Sequence, residues 1–245
     1  MKRFIGVMFL LILFFINAFF LGTMMGNTNV IYVYADDPLV YGDLEAASFA
    51  SILVPAVDES DNGVVTLLSV QAINGAGTGK ILVNIDRIFF WGDTQDSIRT
   101  AHYVAENVRG LDLSNIDLVY TITANASVIE GPSAGAALAA ATITAVENRT
   151  INKTVMITGA ISSDGSITQV GGVLAKANAS KQQGAELFLV PPGQSTEKQE
   201  RLDCNWVGWV EYCDVRYETI NVSQEAGIEV KEVKNINEAL NYLLL

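Results

Sequence analysis

The sequence predicts an α/β domain behind an apolar N-terminal segment, on three observations. Short runs of Val, Ile and Leu alternate with amphipathic or Ala-rich stretches from residue 64 to 245, the rhythm of strands and helices packed in layers. Half of the 245 residues are hydrophobic, which supplies one core of ordinary size. Residues 4–22 are apolar except for Asn17, a run long enough to cross a bilayer.

Lys2 and Arg3 precede that run, and positive charge on the short side holds that end in the cytoplasm and exports the remainder of the chain. Val33-Tyr34-Ala35 before Asp36 offers the rival reading of a signal-peptide cleavage site. The length of the run, and the 13 residues between Gly22 and Ala35, favour a retained anchor. Residues 1–35 are therefore read as anchor and tether, and residues 36–245 as the domain. The expected location is the cell membrane, single-pass, with the domain outside; a secreted protein is the alternative.

Residues 23–48 look like a tether leading into the domain and carry no motif. VVTLLSVQAI at 64–73 reads as a strand, 74–80 as a glycine-rich turn and 81–90 as a second strand, which together suggest a hairpin. The Gly79-Lys80 pair does not make a phosphate-binding loop, because Asn74 and Ile81 stand where that motif needs Gly and Ser or Thr. Asp93 begins a helix with apolar or small residues at Ile98, Ala101, Val104, Ala105 and Val108, and Gly110 ends it. His102 reads as a partly exposed residue of that helix. A strand at 116–122 leads through a polar loop to Glu130 and a small-residue helix reaching about Glu147. A strand at 154–158, a turn at Asp164-Gly165 and a short strand at 166–170 come next. Gly171-Gly172 opens a helix to about Gln183, before a strand at 187–190. Residues 192–226 break the rhythm as an insertion, and it resumes with a strand at 228–233 and a helix at 236–245.

Formal net charge is −12, and two of the 15 basic residues are Lys2 and Arg3. A body this acidic repels phosphate backbones, so no nucleic acid is expected as a partner. Two cysteines and one histidine are too few for a zinc site of the usual kind, and no cofactor or metal is expected. Cys204 and Cys213 lie on the exported side, where cysteines tend to pair, so a disulfide is favoured over two separate thiols. Trp206, Trp209 and Tyr212 in the same insertion read as a small local core rather than a protein-binding surface. Asn-x-Ser/Thr sequons begin at Asn125, Asn148, Asn152, Asn178 and Asn221, compatible with export.

Gly131-Pro132-Ser133-Ala134-Gly135 combines a turn glycine, a proline suited to the first helical position, and a serine where unpaired N–H groups and the helix dipole favour an oxyanion. It also satisfies G-x-S-x-G, but the α/β-hydrolases place their histidine after the serine, and here His102 precedes it. The remaining activator is a lysine kept neutral by burial, which needs apolar, small neighbours. Lys176, in Gly-Gly-Val-Leu-Ala-Lys-Ala-Asn-Ala at 171–179, meets that description best. Lys181 reads as surface, Lys153 lies in a polar turn, and Lys198, Lys231 and Lys234 belong to charged segments.

Glu130-Gly131-Pro132-Ser133-Ala134-Gly135, then Met156-Ile157-Thr158-Gly159, then Gly171-Gly172-Val173-Leu174-Ala175-Lys176, resemble the proteolytic domain of the Lon proteases, serine peptidases with a Ser-Lys dyad. The 43-residue interval from Ser133 to Lys176 agrees with that family. The resemblance runs over 64–190 and resumes over 228–245. It implies mixed sheets with packed helices of the ribosomal protein S5 domain 2-like kind, Ser133 as nucleophile, Lys176 as general base, and Thr158 as the threonine that orients the lysine. It also implies a polypeptide substrate and a homo-oligomer, a hexameric ring, although the ATPase module that helps hold such rings is missing here. ATP-independent cleavage of unfolded or flexible polypeptides is therefore expected. Glu130 looks like the archaeal branch, and Ala160 stands where many Lon proteins carry glutamate. Two rival readings are a non-catalytic Lon-fold module for peptide binding or assembly, and a DNA-repair-type relative acting beside an ATPase. Retention of Ser133, Lys176 and Thr158 argues against the first, and export and acidity against the second.

Overall fold

A computed structural model describes residues 47–74, 79–84, 89–90, 92–123, 128–129 and 131–245. The expected anchor, the sequon at Asn125 and the Glu130 position lie outside these residues. Among the described residues no helix is long and apolar enough to cross a membrane.

The fold is mixed α/β. Strand β1 (Ala47–Val57) turns at 58–62 into β2 (Gly63–Asn74), antiparallel from Ala47↔Ile73 to Val57↔Gly63. Asp58 closes the turn, its carboxylate accepting from the N–H groups of Ser60 and Asn62. The last two residues of the expected tether at 23–48 belong to β1, and this strand through Val57 is an element beyond those expected.

The expected hairpin between 64–73 and 81–90 is not formed. Strand β3 (Ile81–Asn84) and the short β4 (Phe89–Phe90) replace one continuous strand. Beyond them helix α1 (Gly92–Asn107) leads to β5 (Ile116–Thr123), which pairs with β2 through Ser69↔Thr121 and takes the edge a hairpin would need. β3 lies on the far side of β5, parallel to it, giving the order β1-β2-β5-β3. The Asp117 carboxylate accepts from Lys80 N–H at 2.9 Å and fixes the start of β3.

After β6 (Val128–Ile129), a 3-10 turn (Pro132–Ala134) leads into helix α2 (Gly135–Val146). Every residue from Gly135 to Ala145 is buried, and a helix apolar all round belongs inside a protein. Its two threonines satisfy their hydroxyls on the preceding turn, Thr142 on Leu138 O and Thr144 on Ala140 O. The Thr142 hydroxyl also meets the Tyr120 hydroxyl at 2.8 Å.

Strands β7 (Val155–Ile157), β10 (Leu187–Val190) and β13 (Glu229–Glu232) form a parallel sheet in the order β13-β10-β7. Its faces separate two cores. Ile157 and Leu189 join the core around α2, while Met156 and Phe188 pack with Val173 and Ala177 of helix α3 (Val173–Gln182). Two-sided burial explains why β7 and β10 read as unbroken apolar runs. Between them, β8 (Ala160–Ile161) pairs with β9 (Ile167–Thr168), and helix α5 (Ile236–Leu243) ends the fold two residues short of the expected 245.

Helix α3 lies against β2 at Gly63, where an added Cβ would stand 2.0 Å from the Ala175 carbonyl oxygen. Backbone cannot yield there as a flexible side chain can. Gly63→Ala is expected to cost about 3 kcal/mol and lower the thermal midpoint by roughly 6 °C or more, read by circular dichroism.

Residues 192–226, expected as a polar, aromatic insertion, contain a ribbon of β11 (Thr196–Val207) and β12 (Val210–Asn221), then helix α4 (Val222–Ala226). Cys204 and Cys213 sit opposite one another in the ribbon and form the disulfide. The expected local core of Trp206, Trp209 and Tyr212 is not formed, because all three side chains are exposed.

Candidate active site

The turn that carries Ser133 is held from three sides. Gly131 adopts φ 94°, a conformation open to glycine and strained for other residues, so the chain can turn before Pro132. Its N–H donates to the Asp93 carboxylate at 2.9 Å, which ties the turn to the start of α1. The Ser133 carbonyl accepts from Gly159 N–H at 3.0 Å and, at 3.4 Å, from the Thr158 hydroxyl. Ala136 N–H returns a bond to the Gly159 carbonyl at 2.9 Å. Thr158 is itself anchored, donating its N–H to Leu189 O of the parallel sheet. The described bond of the Thr158 hydroxyl therefore goes to the serine's backbone, and this threonine fixes the turn.

Ser133 is half-buried beside an apolar cleft lined by Val54, Pro55 and Ala56 of β1, Thr66 and Leu68 of β2, and Ile122. It precedes α2 by two residues, at the end where unpaired N–H groups and the positive end of the dipole favour negative charge.

Lys176 lies in the first turn and a half of α3 and is 2% exposed. A lysine stem commonly covers apolar surface while its amine stays wet; here the residue is buried almost entirely. Burial disfavours the ammonium form and lowers the pKa from 10.5 to about 8, while the negative charge of Glu197 opposes that shift. The Glu197 carboxylate also accepts from Leu174 N–H at 2.7 Å, capping an open donor at the start of α3. Among the described residues, neither Ser133 nor Glu197 is hydrogen-bonded to the Lys176 amine. Catalytic contacts are often long before substrate closes the site.

Strand β1 runs from the cleft beside Ser133 to the start of α3. Val54–Ala56 flank Ser133, and the next residue, Val57, touches α3, where a Cβ on Gly172 would meet its Cγ1 at 2.8 Å. His102 has no part in this arrangement. Its Nδ1 lies 3.5 Å from Glu106, and its buried Nε2 has no partner among the described residues.

Three contributors escape a reading of the sequence: Asp93, Glu197 and β1. Asp93 reads as a helix start, and its second bond, 38 residues along the chain, leaves no local signal. Glu197 belongs to a segment that reads as polar insertion. Along 47–54 buried and half-buried positions alternate, but Ser48 is buried while Phe49 and Leu53 are half-buried, so the residue types themselves carry no period-2 signal.

Residues 98–202 match the Lon protease (S16) C-terminal proteolytic domain, a segment that contains Ser133, Thr158 and Lys176. An archaeal Lon protease from Thermoplasma volcanium is 29% identical over 171 residues, 69% of this chain and 23% of that protein. One from Archaeoglobus fulgidus is 27% identical over 150 residues, 61% of this chain and 21% of its own. Lon protease 2 of Bacillus subtilis is 33% identical over 117 residues, 48% of this chain and 17% of its own. The chain thus spans under a quarter of the length of these relatives.

Proposed function

We propose, from the premise that this chain is a relative of the Lon proteases through their proteolytic domain, that it is a serine endopeptidase with a Ser133-Lys176 dyad. The observation that carries this reading is the burial of Lys176, which brings its pKa to about 8, alongside a serine held at a helix start. Neutral Lys176 takes the proton from the Ser133 hydroxyl as its oxygen attacks the substrate carbonyl. Lys176 returns that proton to the leaving amine, and water releases the acyl group by the reverse route. Backbone N–H groups at the turn before α2 stabilise the oxyanion, and Thr158 holds that turn through the Ser133 carbonyl, in place of the lysine-orienting role that the family resemblance implies for it.

The apolar cleft beside Ser133 suits an aliphatic or aromatic substrate side chain. β1, at the edge of its sheet, offers main-chain groups to an extended peptide. Unfolded or flexible polypeptides fit such a site. ATP-independent cleavage is part of this proposal, and its test is therefore run without nucleotide. We further infer an S5 domain 2-like fold over residues 36–245, assembly into a ring, and an anchor at 4–22 that places the domain outside the membrane.

The direct test incubates the full chain with unfolded casein without nucleotide and reads new N-termini by mass spectrometry. Binding without cleavage would overturn the peptidase in favour of a peptide-binding module. Because Lys176 must be neutral, kcat/KM is expected to rise through about pH 8. Glu197→Gln removes the charge that holds the ammonium form, so the rising limb should move to lower pH. The amide oxygen can still cap Leu174, which separates the charge effect from lost structure.

A further inference from the structure

The β11–β12 ribbon presents different side chains on its two faces around the disulfide, although Val210 and Tyr212 near the turn lie on the charged face. The register Leu202↔Val215, Cys204↔Cys213 and Glu200↔Tyr217 puts Leu202, Trp206, Val215 and Tyr217 on one face around the disulfide. The other face carries cross-strand ion pairs, Arg201 with Glu218 at 3.3 Å and Arg216 with Asp203 at 3.1 Å. All four apolar side chains are exposed, Trp206 by 67%, and Trp209 at the turn by 98%. A lone two-stranded ribbon gains little stability from a face left in water, and a patch of this kind marks an interaction site. The segment matched to the Lon domain ends at 202, part-way along β11.

We propose that this face is a docking surface for extended polypeptide that combines apolar and basic side chains. Charge selects the occupant. From Leu202 to Val215 there are three carboxylates and no Lys or Arg. Asp203 is paired with Arg216, whereas Glu211 and Asp214 enter no ion pair among the described residues. Glu211 sits on the apolar face beside the disulfide sulfurs. A bilayer would have to bury that carboxylate unpaired, and a second copy would set it against another acidic ribbon. A Lys or Arg side chain neutralises it and can also stack on the indoles, while the ribbon's open edges pair with an extended backbone.

The surface serves the site described above, and in that sense rests on the peptidase reading. Glu197, near the base of β11, bonds to the helix that carries Lys176. Trp206 lies nine residues further along the strand, about 30 Å away at 3.3 Å per residue, so a substrate of roughly ten residues or more reaches both.

The test uses the full chain with Ser133→Ala, so that ligands stay intact, and fluorescence anisotropy of a labelled 20-residue peptide alternating Leu or Tyr with Lys. The Lys peptide should bind at least tenfold more tightly than its Glu counterpart. Trp206→Ser with Trp209→Ser should weaken it at least tenfold, and Glu211→Lys should reverse the charge preference. Unchanged binding in the double variant, or indifference to peptide charge, overturns the proposal. So would indole quenching by brominated phosphatidylcholine, or a dimer in sedimentation velocity, that disappears with the same double variant. Cleavage of the peptide by the unsubstituted chain separates the two readings. Binding without cleavage removes the peptidase and leaves the surface, whereas cleavage with tip-independent binding does the reverse.

Discussion

Ser133→Ala in the full chain is expected to reduce cleavage of unfolded casein by about 10⁴-fold or more, because removing a nucleophile forfeits the covalent route altogether. The substitution deletes one oxygen from a half-buried side chain whose structural bonds run through its backbone. The Ser133 carbonyl is what Gly159 N–H and the Thr158 hydroxyl hold. The turn should therefore survive, and the thermal midpoint should stay within about 2 °C of the parent, as expected of a change near 0.5 kcal/mol. Peptide binding should survive too, since the cleft beside Ser133 is lined by Val54, Pro55, Ala56 and Leu68. Cleavage that persists in a folded Ser133→Ala protein would remove the serine from the chemistry.

The contrast between Ser133 and its neighbours shows which parts of the site are legible in sequence. Gly131 and Pro132 encode their turn locally, one by admitting φ 94° and the other by suiting a helix start. The burial of Lys176 is equally local, since Val173, Ala177 and Ala179 leave little on its helix to hold it at the surface. What the sequence conceals is pairing over distance. Strand β3 is expected against β2, but β5, more than 30 residues later, occupies that edge. Asp93 reaches Gly131, and Glu197 reaches Leu174, through contacts that no periodicity announces. The ribbon escapes for a different reason. Its strands alternate charged with apolar residues, and without a core beneath it the apolar set is not buried, so composition alone suggests a polar loop.

Lys176→Met carries the largest paired effect, opposite in sign for activity and stability. The substitution keeps the length and shape of the stem while removing the amine, so the dyad has no base and activity should fall by about 10³-fold or more. Stability should rise. In the unfolded chain the lysine has its ordinary pKa of 10.5, and in the folded protein about 8. Between these values the unfolded state binds more protons than the folded one, so stability increases with pH. The sign is then fixed: the folded protein has no burial penalty above pH 10.5, acquires it as pH falls, and bears it fully below about pH 8. The difference corresponds to about 3 kcal/mol, released when methionine replaces the ammonium among Val173, Ala177 and their neighbours. Urea unfolding at pH 7 should therefore show the variant more stable by roughly that amount, with the gap closing toward pH 10.5, where the parent's lysine is losing its proton in the unfolded chain as well. A variant that is inactive but no more stable at pH 7 would mean that the amine reaches water, and Ser133 would then lack the desolvated base the mechanism requires.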